Sequence, residues 1–237
     1  MKAIAIIPVR LASTRLPRKA LRDIAGRPMI GWVYDAARTS SRLDEVIIAT
    51  DSQEILDICQ RQGWNARLTS AQHHSGTQRV HEVAQSVAAD IYLNVQGDEP
   101  LVRREHIETL LHLMENPVIE VGTLKTPCAA LDIHNPNAVK VVTDRSGRAL
   151  YFSRATIPCD RDGGGAGCFK HLGFYAYRKP ALDRFVAMPP SPLELSERLE
   201  QLRFLENQVP IYVAETPYDT IGVDTEDDLE RVIALLR

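Results

Sequence analysis

The chain is poor in several features that would have assigned it early. Its four cysteines are scattered, with no Cys-x-x-Cys pair among them, so neither a redox dithiol motif nor a zinc ribbon is indicated. Cys159, Cys168 and His171 lie close in sequence but match no zinc spacing and lack an evident fourth ligand. No apolar run approaches the ~18 residues of a membrane span. The apolar stretch between Lys2 and Arg10 is too short for a secretory signal. A cytoplasmic protein with reduced thiols is therefore expected. The formal net charge is only −3, which speaks against a nucleic-acid or membrane partner, so any cationic site must be local. Repeats, low-complexity tracts and linkers are missing as well. So are the Gly-x4-Gly-Lys-Ser/Thr and Gly-x-Gly-x-x-Gly phosphate-binding patterns.

What the chain does have is alternation. Ala3 to Pro8 reads as a strand buried on both faces, because it is apolar without polar alternation. A helix from about Pro28 to Arg38 follows, with proline suited to its first turn. Val46 to Thr50 predicts a strand, and Ser52 caps a helix Gln53 to Gln62 that stops at Gly63. Asn65 to Leu68, Gly76 to Val87 and Ile91 to Val95 continue as strand, helix and strand. Such repetition predicts βαβ units and an open, doubly wound, mostly parallel sheet. After a helix near Glu105 to Met114 the regularity breaks. Val118 to Thr126, Ala138 to Val142, Ala149 to Ser153 and Leu172 to Tyr177 read as strands, with a glycine-rich loop at 162–167. Ser191 to Glu206 predicts one helix, with Leu195, Leu199, Leu202 and Leu205 at helical spacing, and Asp224 opens a last helix from Thr225 to Arg237. One domain over 1–237 is expected, with a small β-rich lobe at about 125–178.

In an open α/β sheet, ligands bind beyond the carboxyl ends of the strands. After the first strand, Arg10, Arg15, Arg18 and Lys19 place four cations within ten residues, with the Ser13 and Thr14 hydroxyls between them. Guanidinium forks and a movable ammonium suit a polyphosphate, so this loop is expected to bind the phosphates of a nucleotide. After the fourth strand comes Gln96-Gly97-Asp98-Glu99-Pro100, and late in the chain Gly222-Val223-Asp224-Thr225. Asp98 and Asp224 suit Mg2+, which takes one or two protein carboxylates. Each also has a bland alternative, a turn for Gly97-Asp98 and an N-cap for Asp224.

These residues resemble the 3-deoxy-manno-octulosonate cytidylyltransferases, also called CMP-Kdo synthetases. The resemblance runs nearly end to end. It covers Ile7-Pro8-Val9-Arg10-Leu11-Ala12-Ser13-Thr14-Arg15-Leu16-Pro17, Ala49-Thr50-Asp51, His74-Ser75-Gly76-Thr77-Gln78-Arg79 and Asn94-Val95-Gln96-Gly97-Asp98-Glu99-Pro100. It continues through Asn135-Pro136-Asn137-Ala138-Val139-Lys140, Leu150-Tyr151-Phe152-Ser153-Arg154-Ala155-Thr156-Ile157-Pro158, His171-Leu172-Gly173, Pro190-Ser191-Pro192-Leu193-Glu194, Leu199-Glu200-Gln201-Leu202-Arg203 and Gly222-Val223-Asp224-Thr225.

The resemblance implies a nucleotidyltransferase-type sheet and transfer of CMP from CTP to the 2-ketoacid sugar Kdo, with pyrophosphate released. It also implies lipopolysaccharide synthesis, a Mg2+ cofactor and a homodimer. By position, Arg10, Ser13, Arg15, Lys19 and Arg79 would bind the nucleotide, with Arg10, Lys19 and Asp98 catalytic and Asp98 and Asp224 on the metal. Gln96, Arg154, His171, Tyr175, Glu200 and Gln201 would line the sugar site, Arg154 facing the sugar carboxylate.

The chain departs from the family in three places. Arg18-Lys19-Ala20 stands where Gly-Lys-Pro is usual, which removes a permissive backbone position. Cys159 replaces a common tryptophan, and the stretch from Asp162 to His171 is short and glycine-rich. An 8-amino-Kdo or sialic acid cytidylyltransferase is the nearest alternative enzyme. A nucleotide-binding regulator is the non-enzyme alternative, against which the two carboxylates argue.

Overall fold

A computed structural model describes residues 1–13 and 15–236. Thr14 of the cationic loop and Arg237 of the last helix lie outside the described residues. The elements follow the sequence pattern closely at first. Strand β1 (Ala3–Val9) is buried at every position. A small hairpin, β2 (Asp23–Ile24) and β3 (Arg27–Pro28), leads into α1 (Met29–Arg38). Strand β4 (Glu45–Thr50) precedes α2 (Gln53–Gln62), whose N-cap Ser52 accepts a bond from the Ile55 amide and whose C-cap Gly63 is left-handed. Then come β5 (Ala66–Leu68), α3 (Gly76–Ser86), β6 (Ile91–Asn94) and α4 (Arg104–Leu113).

The remainder is β7 (Val121–Pro127), β8 (Lys140–Thr143), β9 (Ala149–Ser153), β10 (Phe169–Tyr177), α5 (Lys179–Ala187), α6 (Pro192–Glu197), α7 (Gln201–Glu206), β11 (Tyr212–Glu215) and α8 (Glu226–Leu236). Here the structure departs from the sequence pattern. The single helix expected from Ser191 to Glu206 is two, because Arg198 turns left-handed at φ 55° and ends α6. Helix α5, strand β11 and the β2–β3 hairpin were not anticipated. Strand β7 starts three residues later than Val118, which is 75% exposed.

The chain divides into two compact units, 1–108 with 220–237, and 109–219. In the first unit the strands run parallel in the order β5-β4-β1-β6, and α1, α2 and α3 pack against them. Pro8 stands beside Ala49, Val9 beside Thr50, and Ile6 beside Asn94. The carboxyl ends of β1, β4 and β6 therefore share one edge, from which the 10–19, 51–52 and 95–99 loops emerge. In the second unit β7 pairs parallel with β11 and antiparallel with β10, while β8 is antiparallel to both β10 and β9. The α/β class holds, and the strands do not close into a barrel among the described residues. No described helix is long and apolar enough to cross a membrane.

Candidate functional site

The cationic loop is not loose. Leu16, only 2% exposed, anchors it in an apolar cluster with Ile24, Met29, Val223, Leu229 and Val232. Val223 is the residue before Asp224, so one patch of core holds both the cationic loop and the late carboxylate. The Val223 amide donates to the Asp98 carbonyl at 2.9 Å, which fixes the two acidic loops to each other. The Thr220 hydroxyl adds a second tie, donating to Glu99 at 2.7 Å. Gly97 is needed at the same place. A Cβ there would stand 3.0 Å from Val9 Cγ2 and 3.1 Å from the Pro8 carbonyl oxygen.

Lys19 then brings the charges together. Its Nζ donates to Asp98 Oδ2 at 2.6 Å and to Asp224 Oδ1 at 2.9 Å. Arg15 reaches the other Asp224 oxygen at 3.0 Å. Burial disfavours the charge on Lys19, but Asp98 and then Asp224 outweigh it, and its pKa ends above the ordinary lysine value. Burial likewise opposes the charge on Asp224, yet Lys19 and then Arg15 hold its carboxyl below the usual range. The bland role offered for Asp224 falls to its neighbours. The Thr225 hydroxyl accepts from the Asp228 amide, and the Asp228 carboxylate accepts from the Thr225 and Asp224 amides, so this reciprocal cap leaves the Asp224 carboxylate to the cations.

Asp98 and Asp224 also suit a hard divalent cation. Both present a carboxylate oxygen to a single cationic atom at hydrogen-bond distance. Among the described residues no group of three or more His, Cys, Asp or Glu could hold a metal. Two carboxylates are what Mg2+ takes when substrate phosphates and water complete its shell.

Arg18 receives a role that the sequence left open. It occupies φ 56°, ψ 32°, the left-handed conformation that glycine adopts freely, and its guanidinium pairs with Glu54 of α2. The position that lacks glycine therefore holds a glycine-like conformation under strain. A left-handed non-glycine residue costs roughly 1–2 kcal/mol, whereas an exposed ion pair contributes well under ~1 kcal/mol. Arg18→Gly is expected to stabilise the chain by about 0.5–1 kcal/mol in urea unfolding. A loss of stability would show that the pair with Glu54 dominates.

Other expected site residues are placed as follows. Arg10 is exposed at the end of β1 and Ser13 is half-buried in the loop. Gln96 donates to the Asn94 side chain at 3.3 Å. Arg79 is 3% exposed and faces inward, donating to Asp51 at 2.9 Å, to the Ser70 carbonyl at 3.2 Å and to the Thr69 hydroxyl. It braces the loops after β4 and β5. In the second unit, Arg154 donates to the carbonyls of Glu197, Pro136 and Arg198 at 2.7, 2.9 and 3.4 Å. It is a corner clamp, and those contacts use three of its five N–H donors. Buried Lys140 assists, donating to the carbonyls of Asn135, Ala138 and Arg154. Glu197, which the sequence reading missed, accepts from the Ser153 hydroxyl at 2.6 Å and the Arg154 amide at 3.0 Å. No local signal marked it, because its partners lie more than forty positions away.

His171, Tyr175 and Glu200 are brought together. The His171 and Tyr175 rings are 5.4 Å apart, and Phe152 meets His171 edge-on at 4.9 Å. Burial first, then Tyr177 and Glu200, raises the Tyr175 hydroxyl well above its usual pKa. Gln201 opens α7, 7% exposed. The Thr123 hydroxyl donates to the Phe174 carbonyl at 2.7 Å, so His171 Nε2–H is the donor in the 2.9 Å contact to Thr123.

Burial lowers the His171 pKa to about 3 and keeps the ring neutral. The unfolded chain takes up that proton near pH 6.5. The stabilising contribution is thus complete above pH 6.5 and declines as pH falls toward 3, by up to about 1.4 kcal/mol per unit. Urea midpoints at pH 5 and pH 7 are expected to differ accordingly, and His171→Gln should reduce that difference. An unchanged difference would place the titration elsewhere.

A family model described as cytidylyltransferase matches residues 4–213. A 3-deoxy-manno-octulosonate cytidylyltransferase from Koribacter versatilis (strain Ellin345) is 70% identical, over 100% of this chain and 91% of its own. Its counterpart from Acidobacterium capsulatum is 57% identical over 100% and 97%. Among solved structures, a CMP:2-keto-3-deoxy-manno-octonic acid synthetase complexed with CTP superposes with a TM-score of 0.95 at 43% identity, covering 100% of this chain and 98% of that one.

Proposed function

The chain belongs to the 3-deoxy-manno-octulosonate cytidylyltransferases, and from that premise we propose how its residues transfer CMP from CTP to Kdo with release of pyrophosphate. The observation that carries the reading is Lys19 joining Asp98 and Asp224 beneath a cationic loop. The sugar's anomeric hydroxyl gives up its proton to solvent and attacks the α-phosphorus, a P–O bond forms, and the bond to the β-phosphate oxygen breaks with its electron pair leaving on pyrophosphate. Charge grows on that leaving group. Arg10, Arg15 and Lys19 bind the phosphates and stabilise the charge with little reorganisation, since the loop is already pinned by Leu16. Asp98 and Asp224 would hold Mg2+, which when bound neutralises phosphate charge and acidifies a coordinated hydroxyl.

Arg79 acts behind the nucleotide loops through Asp51. Gln96, His171, Tyr175, Glu200 and Gln201 belong to sugar recognition. Neutral His171 offers Nδ1 as an acceptor. Arg154 orders the corner that precedes Glu200 and Gln201. The product feeds lipopolysaccharide synthesis, and the working form is a homodimer.

Pyrophosphate release is expected to require CTP, Kdo and Mg2+ together. Turnover with a hexose 1-phosphate as good as with Kdo would overturn the substrate assignment. A side-by-side assay of Kdo and 8-amino-Kdo separates the two nearest sugars.

A further inference from the structure

We infer that Lys19 and the divalent cation compete for one seat, so that the metal binds with the nucleotide and not before it. The inference rests on the metal reading above and concerns the order in which the site fills. The Lys19 ammonium lies 2.6 Å from Asp98 Oδ2 and 2.9 Å from Asp224 Oδ1, and Arg15 covers the second Asp224 oxygen at 3.0 Å. Two carboxylates and two cations make a locally neutral cluster. A dication approaching it meets three of the four carboxylate oxygens already engaged, and an ammonium that would be a like-charged neighbour within a few ångströms.

Lys19 can leave because its charge sits on a flexible four-carbon stem. Its anchorage is elsewhere, in buried Leu16 and Ala20 on either side. A triphosphate supplies what draws it away. Closely spaced anionic oxygens take Lys19 and Arg15, and Asp98 and Asp224 are released together. The same two cations therefore screen the acidic pair in one step and hold the leaving group in the next. Charge balance is kept throughout, because the arriving phosphates carry the countercharge for the arriving metal.

The test is Mn2+ titration of the full-length protein, read from the electron paramagnetic resonance signal of the free ion. Without nucleotide, Lys19→Met is expected to bind Mn2+ about tenfold or more tightly than the natural protein, since the competing charge is removed. Lys19→Arg, which keeps the charge, is expected to bind as weakly as the natural protein. Adding a non-hydrolysable CTP analogue is expected to tighten Mn2+ binding to the natural protein beyond that of the analogue alone. Circular dichroism confirms that the variants fold. Equal Mn2+ affinities for the natural protein and folded Lys19→Met without nucleotide would overturn the competition and leave the metal reading standing. No protein-dependent Mn2+ binding under any condition would overturn both.

Discussion

Asp98→Asn is expected to lower the turnover number by roughly a hundred- to a thousand-fold, the usual loss when one electrostatic group is removed from a group-transfer centre. The replacement is close to isosteric, so the effect is one of charge. Asparagine keeps an oxygen that can accept from Lys19, but it removes half of the negative charge that Lys19 joins. A neutral amide is also a weaker ligand for a hard dication than a carboxylate. The backbone tie from the Val223 amide to the residue-98 carbonyl is untouched, and so is the packing of Gly97 against β1. The fold is therefore expected to survive, with an unfolding midpoint within a few degrees of the natural protein. Pyrophosphate release measured beside a thermal melt checks both halves. Near-normal turnover would refute the role of Asp98, and a collapsed melt would mean that the loss came from unfolding.

Arg203→Met is expected to destabilise the protein by about 3–5 kcal/mol, because it strands a buried carboxylate. Glu194 and Arg203 are 8% and 6% exposed, and both Arg203 Nε and Nη2 donate to the Glu194 carboxylate. The guanidinium also donates to the Phe185 and Met188 carbonyls and lies 4.2 Å from the Phe185 ring centre. Desolvation offsets much of what such a pair gains, so removing both charges costs less than removing one. Arg203→Met with Glu194→Leu should recover most of the loss. A deficit of about 1 kcal/mol should remain, because the Ser191 amide loses the Glu194 oxygen in its capping box. Urea unfolding of the two variants measures the difference. A double variant no better than the single one would show that packing, and not stranded charge, sets the cost.

The first unit was legible because its signals are local. An unbroken apolar strand, a serine cap before Ile55 and a glycine stop at Gly63 act over a few residues, and the structure repeats them almost to the residue. The second unit was less legible for equally local reasons. Leu195, Leu199, Leu202 and Leu205 keep helical spacing across a break, and the left-handed residue that makes the break is Arg198 and not glycine. Strand β11 is four residues long and gains its partner from Val121–Pro127, about ninety positions earlier.

The amino-acid sequence by itself determined the α/β class, the cationic loop at the end of the first strand, and the two carboxylates that face it chemically. Only the tertiary structure decided that Lys19 joins Asp98 and, 205 positions along the chain, Asp224, that Thr225 and Asp228 relieve Asp224 of capping, that Arg18 keeps the turn in a glycine-like conformation, and that Arg79 and Arg154 act as braces. The reason is physical. Strand and helix formation depend on neighbours a few residues apart, whereas an ion pair depends on distance through space. Those distances exist only once β1 and β6 are side by side and Leu16 and Val223 share one core.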